Sequence, residues 1–152
     1  MPRRSSTLGV DSVGESWFVE VIQSNPFDLA EFKAWPSRVR RPFSTVEFAY
    51  AYVMVTDEEA TRRTDWASLE DIVVVSGWEN RGVGSLLLRY IEGWCRGKAH
   101  SGVRGDLSAV DLGHMDKLKH FYTKNGFTFI LNPPGDTTKR FMGTISKTFE
   151  PN

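Results

Sequence analysis

The segment from Leu69 to Leu88, LEDIVVVSGWENRGVGSLLL, constrains the fold more than any other part of the chain. A run of branched apolar residues leads into a glycine-bearing turn and then an amphipathic pattern, which predicts a buried strand, a tight turn and a helix. The first N–H groups of a helix lack partners within it, and the helix dipole places partial positive charge there. The turn therefore predicts a phosphate or pyrophosphate site, with Gly82 and Gly84 allowing close approach of the backbone.

Two common phosphate-binding motifs do not fit this turn. A Walker A loop ends in Gly-Lys-Ser/Thr, whereas this turn reads Gly84-Ser85 and has no lysine. A dinucleotide fingerprint has the pattern Gly-x-Gly-x-x-Gly, and Leu87 stands where the third glycine belongs. A different kind of anion-binding turn is therefore favoured.

The remaining pattern is Gln/Arg-x-x-Gly-x-Gly/Ala after a strand, and Glu79-Asn80-Arg81-Gly82-Val83-Gly84 resembles it in all but its first residue. The GNAT acetyltransferase superfamily uses this motif to bind the pyrophosphate of acetyl-CoA. The resemblance implies that the turn, through Ser85, binds acetyl-CoA as cosubstrate. It also implies that the Glu79 carboxylate lowers CoA affinity and that Arg81 compensates.

A second segment, Lys119-His-Phe-Tyr-Thr-Lys-Asn-Gly-Phe127, resembles the Phe-Tyr-x-Lys-x-Gly-Phe signature that closes the GNAT core. In that family the helix carrying the Tyr ends at the Gly, and the Phe begins the next strand. The local chemistry agrees, because Gly126 suits a left-handed helix end and Lys124 suits the negative end of the helix dipole. The two motifs follow the family's order, and the resemblance covers roughly residues 66–149.

The resemblance implies an α/β (α+β) fold in which a mixed, mostly antiparallel central sheet is flanked by helices in a single domain. The family's fourth and fifth strands splay apart to admit the acyl-pantetheine, and two helices often precede them where this sequence predicts one. Residues 1–14 lack apolar periodicity and are expected to form a loose N-terminal tail before an acyltransferase domain of residues 15–152. The elements expected from the residue pattern are strands at 16–23, 45–56, 66–75, 103–110, 127–131 and 140–149, and helices at 27–35, 81–96 and 115–125.

Transfer of an acetyl group to an amine requires a base for the amine proton, an acid for the CoA thiolate and a donor for the oxyanion. The family resemblance implies that Tyr122 is the acid. Leu69-Glu70-Asp71 resembles the Leu-Glu-Asp stretch of spermidine/spermine N-acetyltransferases, which implies that Glu70 is the base, acting through water. Strand alternation places Asp71 on the opposite face, so one carboxylate faces the acceptor unless a bulge intervenes.

The end of the same strand is implied to contact the cofactor through Val74 and Val75, with the backbone N–H near Val74 as oxyanion donor. The fold commonly has a bulge near Val74. Met115 stands where the family usually has a helix Asn, so one contact with the pantetheine is expected to differ.

Composition limits the other classes of protein to which the chain could belong. The 152 residues suit one domain, and 19 basic against 19 acidic residues give a formal net charge of zero, which argues against a generic nucleic-acid binder. No apolar run approaches the ~18 residues of a membrane span. The single cysteine, Cys95, excludes an intramolecular disulfide and a cysteine-based metal site, and its place on an apolar helix face predicts a core residue. We expect a cytoplasmic protein without a metal.

The sequence leaves two properties open. The acceptor amine is a small molecule or a protein lysine or N-terminus, and the protein is a monomer or a homodimer. The basic stretch Arg38-Val-Arg-Arg41 is best interpreted as a solvated loop, with an anionic acceptor or a docking patch as the alternative, whereas Asp57-Glu-Glu59 favours a cationic acceptor. Two further functions stay open. One is a GNAT-like CoA-binding protein with little catalysis, which Glu79 and Met115 favour. The other is a non-enzymatic protein or nucleic-acid interaction module that uses the arginine loop.

Overall fold

The computed structural model describes residues 5–23, 29–39, 48–56, 63–107, 114–132 and 142–150. Their elements, in chain order, are β1 (Ser5–Val10), β2 (Ser16–Ile22), β3 (Ala30–Pro36), β4 (Ala49–Thr56), β5 (Arg63–Val74), α1 (Val83–Gly97), β6 (Gly102–Leu107), α2 (Met115–Lys124), β7 (Thr128–Leu131) and β8 (Gly143–Thr148). The strands form one sheet in the order β1-β2-β3-β4-β5-β6-β8-β7. Only β5 and β6 pair in parallel among these strands, so the mixed, mostly antiparallel sheet is confirmed.

The hydrophobic core lies between the sheet and one face of α1. The apolar positions of this helix recur every three or four residues, which places them on a single stripe that packs against the sheet. The buried residues of that stripe are Val83, Leu87, Leu88, Ile91 and Cys95. Strands β2 to β4 supply the other side of the core through alternate residues, among them Trp17, Val19, Phe32, Ala49, Ala51 and Val53. Cys95 is therefore a core residue, as predicted.

The expected loose tail is wrong for residues 5–10. This segment is strand β1, which pairs antiparallel with β2 in a register that runs from Ser5 opposite Glu20 to Val10 opposite Ser16. Its side chains are mostly exposed, and only Leu8 packs on the core. Backbone hydrogen bonds hold such an edge strand, so its side chains carry little apolar periodicity for sequence analysis to detect.

The expected helix at 27–35 is also wrong where the structure describes it. Ala30–Pro36 is strand β3, between β2 and β4. Ala30, Phe32 and Ala34 are buried, whereas the alternating Glu31 and Lys33 are half-buried. This two-residue period belongs to a strand with one core face. Within the described ranges no helix precedes α1, and none is long and apolar enough to span a membrane.

A β-bulge interrupts β5 at Glu70. Val53 of β4 pairs with Leu69 and the preceding Tyr52 pairs with Asp71, so Glu70 is the extra residue. The bulge therefore lies earlier in the strand than the expected position near Val74. It shifts the alternation by one, and Ile72 and Val74 pack toward the core on the same side as Leu69.

The two parallel strands separate along their length. The pairing of β5 with β6 covers only Trp66–Ser68 with Gly102–Arg104, whereas β5 continues to Val74. The Leu69 carbonyl still lies close to Gly105, but from there to Val74 no residue of β5 pairs with β6, and this unpaired stretch is the gap between the two strands. After β6, helix α2 ends at Lys124 with Asn125 as its C-cap. Gly126 follows with a left-handed φ of 85°, as predicted, and the chain then forms the β7–β8 hairpin.

Candidate functional site

The turn between β5 and α1 relies on left-handed backbone. Gly82 is the N-cap of α1 with φ 80°, and Asn80 has φ 62°. Glycine adopts this region freely, and asparagine tolerates it better than most residues. A Cβ on Gly82 would meet nothing within 4 Å, so its backbone conformation explains the glycine. A Cβ on Gly84 would lie 3.1 Å from Phe121 Cε1, so Gly84 allows α2 to approach the start of α1.

A cavity of about 380 Å³ opens beside this turn. Three parts of the chain line it: the β1–β2 connection, the start of α1 and the end of α2. The lining residues are Val10, Asp11, Ser12, Arg81, Gly82, Ser85, Leu86, Arg89, Lys124 and Asn125. Asn125 Nδ2 donates to Ser85 Oγ at 3.1 Å and to the Phe121 carbonyl at 2.8 Å, which ties the end of α2 to the first turn of α1.

Of the residues predicted for the cofactor turn, Arg81, Gly82 and Ser85 line the cavity, Val83 is buried in the core, and Glu79 and Asn80 are exposed. Sequence analysis missed the contributions of Asp11, Arg89 and Asn125. Arg89 follows Ser85 by four residues, so helical periodicity places both on one face. Asp11 and Asn125 reach the turn through tertiary packing, and no local signal marks them.

The guanidinium of Arg81 is held by aromatic and acidic neighbours. Its Cζ lies 4.9 Å from the centroid of the Trp78 ring, and Arg38 Cζ lies 4.6 Å from the same centroid. Arg81 Nη1 is 3.9 Å from both Asp11 Oδ2 and Glu15 Oε1. The positive charge of Arg81 is therefore already offset by two carboxylates of the β1–β2 connection.

Asp11 organises that connection from a buried position. Its Oδ1 accepts hydrogen bonds from the backbone N–H groups of Val13 (3.0 Å) and Glu15 (2.9 Å), and its Oδ2 accepts from Trp17 Nε1 (2.9 Å). Burial alone acts to raise the pKa of Asp11. The Trp17 indole, the two backbone donors and the Arg81 charge outweigh it, so the pKa of Asp11 lies below its ordinary value. The N–H of Ser12 also donates to the Arg81 carbonyl at 2.8 Å, which fixes the connection to the cofactor turn.

We expect an Asp11→Asn substitution to lower the melting temperature at neutral pH, because an amide offers one acceptor oxygen to three donors. The folded-state pKa of Asp11 is lowered, so its contribution to stability is complete above the unfolded-state pKa of ~4 and is lost as the pH falls through the folded-state value. The difference in Tm between wild type and variant should therefore shrink between pH 7 and pH 3. Thermal unfolding at both pH values measures it, and an equal difference at both would contradict this role.

The backbone at the end of β5 directs a donor into the gap beside β6. The N–H of Val75 donates to the Phe48 carbonyl at 2.9 Å, so this pair is hydrogen-bonded. Antiparallel pairs alternate, so the adjacent pair, Ala49 and Val74, is non-hydrogen-bonded and the Val74 N–H is directed away from β4. That direction leads into the space where β5 and β6 have separated. Val75 has its N–H committed to β4.

Tyr122 contacts Phe121, and Phe121 in turn lies beside the start of α1. The Tyr122 side chain is buried, with ring centroids 5.1 Å from Phe121 and 5.6 Å from Phe127. Phe121 in turn lies where a Cβ on Gly84 would touch it. Met115, at the first turn of α2, is half-buried and packs against the hydrophobic core. A Cβ on Gly84 would also lie 3.7 Å from Val74 Cγ2, so Phe121 and Val74 both lie beside the glycine turn, and Tyr122 contacts Phe121.

Neither Glu70 nor Asp71 lines the cavity beside the glycine turn. Both carboxylates are exposed. Alternation before the bulge places Glu70 on the face opposite Leu69, and the register after it places Asp71 across from Tyr52 on that same face. The expectation that the two carboxylates point to opposite faces is therefore wrong, because Glu70 is the extra residue of the bulge and Asp71 falls on the same face as Glu70.

Comparison with known proteins identifies the family. The Acetyltransferase (GNAT) domain family matches residues 44–129 of the chain, which contain β4, β5, α1, β6 and α2. Residues 44–129 are more than half of the chain, and the protein belongs to the GNAT acetyltransferase family. Over 53 residues it is 36% identical to the uncharacterized protein YocC of Bacillus subtilis, a stretch that spans 35% of this chain and 32% of that protein.

Solved structures show the same fold. The GNAT domain of S. lividans PAT superposes with a TM-score of 0.67 at 13% identity, covering 97% of each chain. A Bacillus subtilis acetyltransferase in complex with CoA gives a TM-score of 0.58 at 8% identity, with 87% of this chain and 98% of that one covered. A Bacillus anthracis protein assigned as a streptothricin acetyltransferase, in complex with acetyl coenzyme A, gives 0.58 at 15% identity, with 84% and 65% covered.

Proposed function

We propose that this protein is an N-acetyltransferase that transfers the acetyl group of acetyl-CoA directly to a primary amine in a ternary complex. The observation that carries the proposal is the position of the left-handed glycine turn, between a cavity lined by three cations and the gap where β5 and β6 separate. The solved relatives in complex with CoA and with acetyl coenzyme A support the choice of cosubstrate. The acceptor is a small amine or a protein amine.

The residues present fit the phosphate end of acetyl-CoA. The N–H groups of Val83, Gly84 and Ser85 begin α1 and have no partners within the helix, so they are available to a pyrophosphate. Arg89 and Lys124 add positive charge to the same cavity. The gap between β5 and β6 is proposed to accept the pantetheine arm, with the thioester carbonyl accepting a hydrogen bond from the Val74 N–H.

Each step of the transfer then has a proposed residue. A water chain ending at Glu70 takes the proton of the ammonium group, and the neutral amine nitrogen attacks the thioester carbon. The Val74 N–H stabilises the oxyanion that forms. As the carbon–sulfur bond breaks, the Tyr122 hydroxyl gives its proton to the departing thiolate. The acylated nitrogen still carries one proton more than the amide product, and its transfer to the tyrosinate oxygen restores Tyr122.

We expect Glu70→Gln to lower the transfer rate most at low pH. Free acceptor amine is scarce there, so removal of the proton by a base matters most, and the defect should shrink as more amine becomes neutral at high pH. Asp71→Asn is the matched control on the same face and should have the smaller effect, since Glu70 has the longer side chain. The measurement is a pH–rate profile of both variants with one acceptor. A pH-independent defect in Glu70→Gln would assign it to acceptor positioning, and a larger defect in Asp71→Asn would make Asp71 the base.

The second candidate is a CoA-binding protein with little catalysis, and one observation favours it. Met115 packs into the core, so it supplies no polar contact where the family resemblance implies an Asn. Titration with CoA followed by a thiol-release assay separates the two functions: binding without acceptor-dependent release supports this candidate. One observation weakens the interaction-module alternative, which uses the arginine loop. The guanidinium of Arg38 already pairs with Glu15 at 3.3 Å and lies over the Trp78 ring. Arg40, Arg41 and Asp57–Glu59 lie outside the described residues.

A further inference from the structure

We propose that Arg89 and Lys124 form a second phosphate subsite that binds the 3′-phosphate of the CoA nucleotide and makes the protein selective for CoA over dephospho-CoA. This inference rests on the proposed use of acetyl-CoA. It assigns to these two side chains a role separate from that of the glycine turn.

The two cationic regions of the cavity begin at different points along α1. An α-helix rises 1.5 Å per residue, so the backbone of Arg89 lies about 9 Å along α1 from that of Val83. The positive effect of the helix dipole is confined to the first turn. An anion seated at the glycine turn is therefore held by the start of the helix, whereas the Arg89 side chain begins about two turns further along α1 and lines the same cavity.

The cations of the cavity differ in how far nearby carboxylates offset their charge. Arg81 already has Asp11 and Glu15 within 3.9 Å. Arg89 and Lys124 are exposed, and no carboxylate of the described residues pairs with either. Within the described ranges, Arg89 of α1 and Lys124 of α2 thus have no acidic partner, whereas Arg81 has two. A phosphate monoester, with a charge of about −1.5 to −2 at neutral pH, matches the pair of Arg89 and Lys124.

An apolar wall lies beside these cations. Gly9 of β1 packs so closely on α1 that a Cβ there would lie 2.9 Å from Leu86 Cδ2. This contact seats the β1–β2 hairpin beside the helix and leaves Val10, which is 58% exposed, on the cavity rim. Val10 and Leu86 give the cavity an apolar side next to its cations, which suits a nucleoside that carries a phosphate.

The experiment is calorimetric titration of CoA, dephospho-CoA and adenosine 3′,5′-bisphosphate into wild type, Arg89→Gln and Lys124→Gln. Lys117→Gln is the control, because Lys117 is an exposed lysine of α2 outside the cavity lining. Wild type should bind CoA about tenfold or more tightly than dephospho-CoA, since charge-assisted hydrogen bonds to a phosphate are strong. Both cavity variants should lose most of that preference and bind the bisphosphate more weakly, with dephospho-CoA affinity within about twofold of wild type and Lys117→Gln unchanged.

Three results would overturn the inference, and they differ in their consequence for the proposed function. Equal affinity of wild type for CoA and dephospho-CoA would reject the 3′-phosphate subsite and leave the proposed function intact. An equal loss of affinity for both ligands in the cavity variants would assign the two cations to the pyrophosphate. Binding of none of the ligands by folded wild type would reject the proposed function together with the subsite. The ligand-induced shift in Tm provides a second readout for each variant.

Discussion

A Gly82→Asp variant is expected to keep its fold and to lose about a hundredfold or more in CoA affinity. The substituted carboxylate would stand at the N-cap of α1, where the pyrophosphate is proposed to bind. Two like charges about 4 Å apart near a protein surface repel by about 4 kcal/mol, which exceeds what this loss requires. Aspartate tolerates the left-handed backbone of Gly82 better than most residues, and a Cβ at this position meets no atom within 4 Å, so the fold should survive with a lowered Tm.

Gly82→Asn is the matched control for this variant. Asparagine has nearly the same size, accepts the left-handed backbone at least as well and carries no charge. We expect it to retain most of the CoA affinity of wild type in calorimetry, after Tm has shown that both variants are folded. If the two variants bind CoA equally well, the anion does not sit at this turn.

Tyr122→Phe is expected to lower the rate of acetyl transfer by about a hundredfold, with CoA affinity and Tm close to those of wild type. General acid assistance contributes about 10²–10⁴-fold, and the lower end applies because a thiolate leaves readily. Only a hydroxyl is lost, so the ring contacts with Phe121 and Phe127 are kept. Steady-state kinetics with an identified acceptor measure the effect.

Tyr90→Phe controls for the loss of a hydroxyl elsewhere. Tyr90 is half-buried on α1 and its ring packs against Phe32, away from the glycine turn. Its removal should leave the transfer rate unchanged. A Tyr122→Phe rate within about twofold of wild type would make Tyr122 a core aromatic without a role as acid.

The parts of the fold that were predicted correctly carry strong local signals. The branched run ending at Val74, the glycine turn and the amphipathic stripe of α1 specify a strand, a turn and a helix without reference to the rest of the chain. The same holds for the end of α2, where Gly126 supplies the left-handed conformation that terminates the helix. Both motifs therefore gave element positions close to those observed.

The errors fall where tertiary pairing decides the structure. Ala30–Ala34 contains good helix formers and lies between Pro26 and Pro36, which favoured a helix, but its alternation of small or aromatic with charged residues fits the centre of a sheet. Strand β1 has few apolar residues and forms through backbone pairing with β2. In both cases neighbouring strands override the local preference.

The candidate site could be predicted only in part for the same reason. Its turn and its Tyr come from local motifs, whereas Asp11 and Asn125 reach the turn from elements distant in sequence. The bulge at Glu70 also depends on how β4 and β5 pair, and it reverses the expected face of Asp71. A sequence motif can thus name residues of a site, but the register of the sheet sets which of them face the same way.

The most direct test of the proposed function is acceptor-dependent release of CoA thiol from acetyl-CoA, measured with wild-type protein across a panel of polyamines, aminoglycosides and lysine peptides. The account predicts that at least one amine raises thiol release well above the hydrolysis rate without acceptor, and that mass spectrometry finds that amine acetylated. It also predicts that Gly82→Asp abolishes this release. Folded protein that binds acetyl-CoA but acetylates no amine in the panel would contradict the proposed transferase activity and favour the CoA-binding alternative.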